Sequence, residues 1–165
     1  MNPEDLLILL AEIAVAYVGF GAIVAALQSR SQSWTIEDRV IFRALAEVAL
    51  GAFFVAITPH LIASFDVAER TTWAYSSGAC LFSGPAVLAV RIVQVRKTFG
   101  RASLSHYLIG YLPFLFFLGC NAANFLLWQA AGPYVLGTVT IILQASAHFL
   151  VLLYRVFPLT GESKD

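Results

Sequence analysis

The sequence predicts an all-α fold: an integral membrane bundle of five transmembrane helices, N-terminus outside and C-terminus cytoplasmic. Three observations carry this. Five long apolar stretches run through the 165 residues, with a hydrophobic content of 59% and a charged content of 12%. Average soluble domains are about 45–50% apolar and about 25% charged. Lys and Arg gather at one set of stretch ends. Trp34, Trp73, Tyr75, Trp128, Tyr134 and Tyr154 also fall at stretch ends, where amphipathic rings favour the membrane interface.

A spanning helix needs about 20 mostly apolar residues to cross ~30 Å of hydrocarbon. The chain offers residues 6–27, 40–65, 71–95, 107–128 and 134–157, read together as a single polytopic transmembrane domain over 1–165. Lipid offers backbone groups no partner, so each stretch must be helical. A soluble bundle would need polar outer faces. The fourth stretch carries no Asp, Glu, Lys or Arg at all.

The first stretch opens on Asn2-Pro3-Glu4-Asp5, an N-cap, a Pro at the first helical position and acids in the first turn. Before the second, Thr35 with Asp38 has the spacing of a capping box, which starts a helix near Ile36. Pro59 interrupts this stretch and frees the carbonyl near Val55, which then needs a donor or water. Pro85 bends the third stretch and Pro113 the fourth, for which Ser103 or Ser105 can serve as cap. Gly132-Pro133 breaks the chain before the fifth, leaving residues 129–133 as a short turn. So short a link makes the last two helices antiparallel neighbours.

Alternate threading puts Arg30, Arg39, Arg43, Arg91, Arg96, Lys97, Arg101, Arg155 and Lys164 on one side. Arg70 alone of the 10 Lys and Arg lies on the other, with Glu4, Asp5, Asp66 and Glu69. The positive-inside rule makes the basic side cytoplasmic, and the expected location is the inner cell membrane. The acidic N-terminus lacks the positive start of a cleaved signal peptide.

Composition and motifs exclude several classes. A net charge of zero gives no basic excess for nucleic acid. The chain has no phosphate-cradling Gly-Lys-Ser loop, no HExxH, no GxSxG and no CxxC. No cofactor or metal is expected, and no enzyme activity. Cys80 and Cys120 read as small packing thiols. Haem between His60 and His148 fails on a predicted axial offset of ~10 Å.

What remains is the set of polar residues inside the stretches. An ionisable side chain near the membrane centre costs about 2.5–3.5 kcal/mol on insertion scales and usually faces protein or water. Glu12 shares a helical face with Ala16, Gly19 and Ile23, small enough for close approach of another backbone. Glu47 follows Arg43 by four residues and can pair with it. On the fifth stretch Gly137, Thr140, Gln144, His148 and Arg155 form one stripe on an otherwise greasy helix. Asn121 and Asn124 lie on the fourth stretch, at a depth similar to His60.

Two functional expectations follow. In one, the chain is a homo-oligomeric cation or proton channel or small permease. Glu12, His60, Asn121 and Asn124 then form an outer site, and Glu47, Gln144 and His148 an inner one. In the other, it is a non-catalytic accessory or assembly subunit of a larger membrane complex, and the same residues are docking contacts. The expected partners are the lipid bilayer and further copies of the chain or other membrane subunits.

Overall fold

A computed structural model describes residues 2–31, 34–99 and 104–156. Ser103, Arg101 and Lys164 lie outside the described residues. The elements are α1 (Pro3–Ser31), α2 (Ile36–Ala63), α3 (Glu69–Phe99), α4 (Leu104–Ala123) with a π-helical turn at Asn124–Trp128, and α5 (Ala131–Val156). All five helices are long and apolar enough to cross a membrane, and no strand occurs among the described residues.

The helix starts follow from local chemistry. Asn2 Oδ1 accepts the Asp5 backbone N–H at 2.7 Å. Thr35 and Asp38 form the reciprocal capping box: Thr35 Oγ1 accepts the Asp38 N–H at 3.1 Å, and Asp38 Oδ2 accepts the Thr35 N–H at 3.1 Å. The link between α4 and α5 is tighter than residues 129–133. Gln129 takes a left-handed conformation, φ 50°, and its N–H reaches back to Asn124 O at 2.7 Å, closing the π turn. Helix α5 therefore begins at Ala131, with Pro133 in its first turn, where a missing N–H costs no helical hydrogen bond.

Alternate threading gives the bundle two ends. The acidic end carries Glu4, Asp5, Asp66 and Glu69; the basic end carries Arg43, Arg91, Arg96, Lys97 and Arg155. Helices α2, α3, α4 and α5 form a ring, with α3 opposite α5 and barely touching it. Helix α1 packs outside that ring, against α2 and α5. Gly21 permits the α1–α2 approach, since a Cβ there would lie 2.9 Å from Leu45 Cδ2. Tyr17 Oη and Ser146 Oγ join α1 to α5 at 2.6 Å.

Two of the expected interfacial rings are core residues. Tyr134 is fully buried and Trp73 is 3% exposed, with ring centroids 5.8 Å apart. The reason lies in Pro59. The Val55 carbonyl it releases accepts the Tyr134 hydroxyl at 2.7 Å, so the ring turns inward to serve a backbone group that lipid would leave unsatisfied.

Candidate functional site: a cavity between four helices at the basic end

The ring of four helices is not filled. Between α2, α3, α4 and α5 lies a cavity of about 480 Å³, within the ~300–1,000 Å³ range of small-molecule sites. Its deep end is set by Thr58, Ala79, Phe117 and Ile141. Beyond them Tyr134 closes the bundle, bonded to Val55 O and 3.8 Å from Cys80 Sγ. The walls are mainly apolar, from Val48, Val87, Leu88, Phe114 and Val151. Polar and charged groups collect at the other end: Glu37, Glu47, Arg91, Tyr111, Gln144, His148 and Arg155.

Each charge there has an opposite partner. Glu47 Oε1 accepts Arg43 Nε at 2.6 Å, and Glu47 Oε2 lies 3.0 Å from Arg91 Nη1. Arg155 contacts Glu37 at 2.8 Å and Asp38 at 3.4 Å. These ties link α2 to α3 and α2 to α5 at the mouth. Glu47 thus carries two guanidinium partners, and its charge is already neutralised. A carboxylate placed so does not attract a cation as an isolated one would.

The seven polar residues picked out in the sequence separate into two groups. Glu47, Gln144 and His148 line the cavity together, with His148 Nδ1 2.8 Å from Gln144 O. The other four do not line this cavity. Glu12 is exposed on the outer surface of α1, on the same exposed face as Ala16, Gly19 and Ile23. Asn124 is fully buried: its Nδ2 donates to Ser77 Oγ on α3 at 2.9 Å and its Oδ1 accepts Ala130 N–H at 2.9 Å. Asn121 is fully buried and donates to Phe117 O at 3.0 Å. His60 is half-buried on α2, and its Nε2 has no hydrogen-bond partner among the described residues. No hydrogen bond or ion pair joins these four to one another among the described residues.

Sequence reasoning missed two contributors. Arg91 is the third member of the Arg43–Glu47–Arg91 set, and its side chain is only 18% exposed. The signal was present: a guanidinium inside a stretch needs an acidic partner, and Glu47 lies at a matching depth on the neighbouring helix. Tyr134 bonds Val55 O and lies beside Cys80 in the cavity wall, and nothing in its sequence context separates it from an interfacial tyrosine. Among the described residues no three His, Cys, Asp or Glu side chains converge as a metal site. Cys80 and Cys120 are free thiols.

An apolar chamber with a polar mouth can hold an amphipathic molecule: the walls exclude water from its apolar part, and the mouth offers donors and acceptors to its polar part. Compared with known protein families, curated proteins and solved structures, the chain matches none of them.

Proposed function

We propose that this chain is a multi-pass protein of the inner cell membrane and a small permease, whose solute site is the cavity at the basic end. The observation that carries the reading is the cavity itself, polar at one end and apolar at the other, where Tyr134 bonds the Val55 carbonyl of its wall. With the basic end in the cytoplasm, it has the form of an inward-open carrier. Glu47, Arg91, Gln144 and His148 receive the polar part of the solute, and Phe114, Phe117 and Ile141 its apolar part. The reading assigns no reaction and no cofactor.

A second reading, an accessory or assembly subunit, is favoured by one separate observation. Glu12 is exposed on α1 beside Ala16 and Gly19, and no atom lies within 4 Å of where a Gly19 Cβ would be. A carboxyl on that surface is costly against lipid and inexpensive against another helix.

Thiol labelling separates the two. In a Cys80→Ala, Cys120→Ala background, Ser83→Cys places a thiol in the cavity wall and Thr58→Cys one towards the acidic end of its lining. A charged methanethiosulfonate should label the thiol at 83 from the basic side of sealed vesicles and the thiol at 58 from the acidic side. Labelling from the basic side alone would describe a blind pocket and overturn the permease reading.

A further inference from the structure

We infer that the occupant of the cavity is an acyl chain of an anionic phospholipid from the leaflet at the basic end, with its phosphate held by Arg91 and Arg43. The inference rests on the cavity being the functional site and names its ligand class.

On α3 the cavity runs from Ala79 to Arg91, about 18 Å at 1.5 Å per residue. One leaflet supplies about 15 Å of hydrocarbon, half of ~30 Å. The apolar part of the cavity therefore matches one acyl chain in depth, and it ends near the level where that leaflet ends.

Phe54 on α2 and Val87 on α3 both line the cavity, and they are 60% and 55% exposed. The seam between these helices therefore opens on the lipid-facing surface. A chain can enter sideways without its head crossing the membrane.

The two hydroxyls along the seam are turned to their own helices. Ser83 Oγ donates to Ala79 O at 2.8 Å, and Thr58 Oγ1 to Phe54 O at 2.7 Å. The wall therefore suits methylene groups rather than a hydrogen-bonding solute.

Two guanidiniums flank one carboxylate in the Arg43–Glu47–Arg91 set, so the α2–α3 seam carries an excess of one positive charge, while across the mouth Glu37 and Asp38 share Arg155 in a set with one excess negative charge. Arg96 and Lys97 follow on α3, both exposed. Guanidinium donors suit phosphate oxygens, and basic groups at this level attract anionic headgroups.

Native mass spectrometry tests this. The purified chain is incubated with dioleoyl phosphatidylglycerol or dioleoyl phosphatidylcholine, lipids with the same tails. The expected result is one phosphatidylglycerol per chain, retained about tenfold more strongly than phosphatidylcholine. Gly51→Phe projects a ring into the cavity from a position whose Cβ meets nothing within 4 Å, and it should abolish retention of both lipids. Arg91→Gln should bring the ratio between the two lipids to about one while the phosphatidylcholine signal stays. Equal retention of both lipids by the parent, or undiminished retention by Gly51→Phe, overturns the inference. If no lipid is retained while the thiol at 83 is still labelled, the lipid inference falls and the cavity reading stands. If both fail, both fall.

Discussion

At the acidic end the core draws on all five helices: Leu7 and Ala14 from α1, Ala52 and Ala56 from α2, Trp73 and Cys80 from α3, Phe117 from α4, and Tyr134 and Ile142 from α5. At the basic end the corresponding cluster is Val24, Ile41, Leu45, Ala49, Ala145 and Leu152, from α1, α2 and α5 only among the described residues. There Arg91 of α3 and Tyr111 of α4 border the cavity. The polar residues divide the same way. Near the acidic end Asn124, Ser77 and Tyr134 spend their hydrogen bonds holding helices together. At the basic end Glu47, Arg91, Gln144 and His148 border open space. A polar residue inside a membrane stretch is therefore glue or a site according to whether the space before it is filled.

The comparison breaks first at Tyr134. Tyr134→Ala removes a fully buried ring and leaves the Val55 carbonyl without its donor. A loss of about 3–5 kcal/mol is expected, as for large-to-small changes in a core. Unfolding of the bundle by a denaturing detergent measures it, and a loss under about 1 kcal/mol would mean that this end is not the rigid one.

Asn124→Ala comes next. It takes the donor from Ser77 and the acceptor from the Ala130 N–H. The expected cost is about 1–3 kcal/mol, because groups buried in the closed end lose their partners. The same titration reads it. A wild-type midpoint would show that the turn into α5 does not depend on this side chain.

The sharpest contrast uses two glycines and the smallest energies. A Cβ on Gly137 would lie 3.2 Å from Asn121 Nδ2, 3.3 Å from Phe117 Cδ2 and 3.4 Å from Cys120 Cβ. Asn121 is bonded to Phe117 O and cannot easily yield. Gly137→Ala should therefore destabilise by about 1 kcal/mol despite its better helix propensity. Gly51 has nothing within 4 Å, so Gly51→Ala should stabilise by about 0.5–1 kcal/mol. Melting temperatures that move in opposite directions support the difference in packing. A shift of the same sign for both would remove it.

Several local features were legible because they depend on near neighbours in the chain. The capping box at Thr35 and Asp38 needs only a three-residue spacing. The pairing of Arg43 with Glu47 needs only one helical turn. The need of the Val55 carbonyl for a donor follows from Pro59, four residues on. The identity of that donor was not legible, because Tyr134 comes from another helix. The proposed outer set of Glu12, His60, Asn121 and Asn124 rested on similar depth. Depth does not determine which way a helix turns, and α1 turns Glu12 outward while Asn124 faces α3. Small-residue faces had the same ambiguity: Gly21 and Gly84 are filled from within the chain, by Leu45 and Leu118, whereas Gly19 meets nothing.

By itself the sequence determined five apolar helices, where the first two begin and which of their ends share a side. Those properties follow from hydrophobic length, capping chemistry and threading order, and all of them are local or one-dimensional. Only the tertiary structure decided that α3 stands opposite α5 across an unfilled space, that Arg91 meets Glu47, and that Tyr134 serves the Val55 carbonyl. Rotation of a helix about its axis, and its distance from a neighbour, come from packing all the helices at once. No single stretch carries that information.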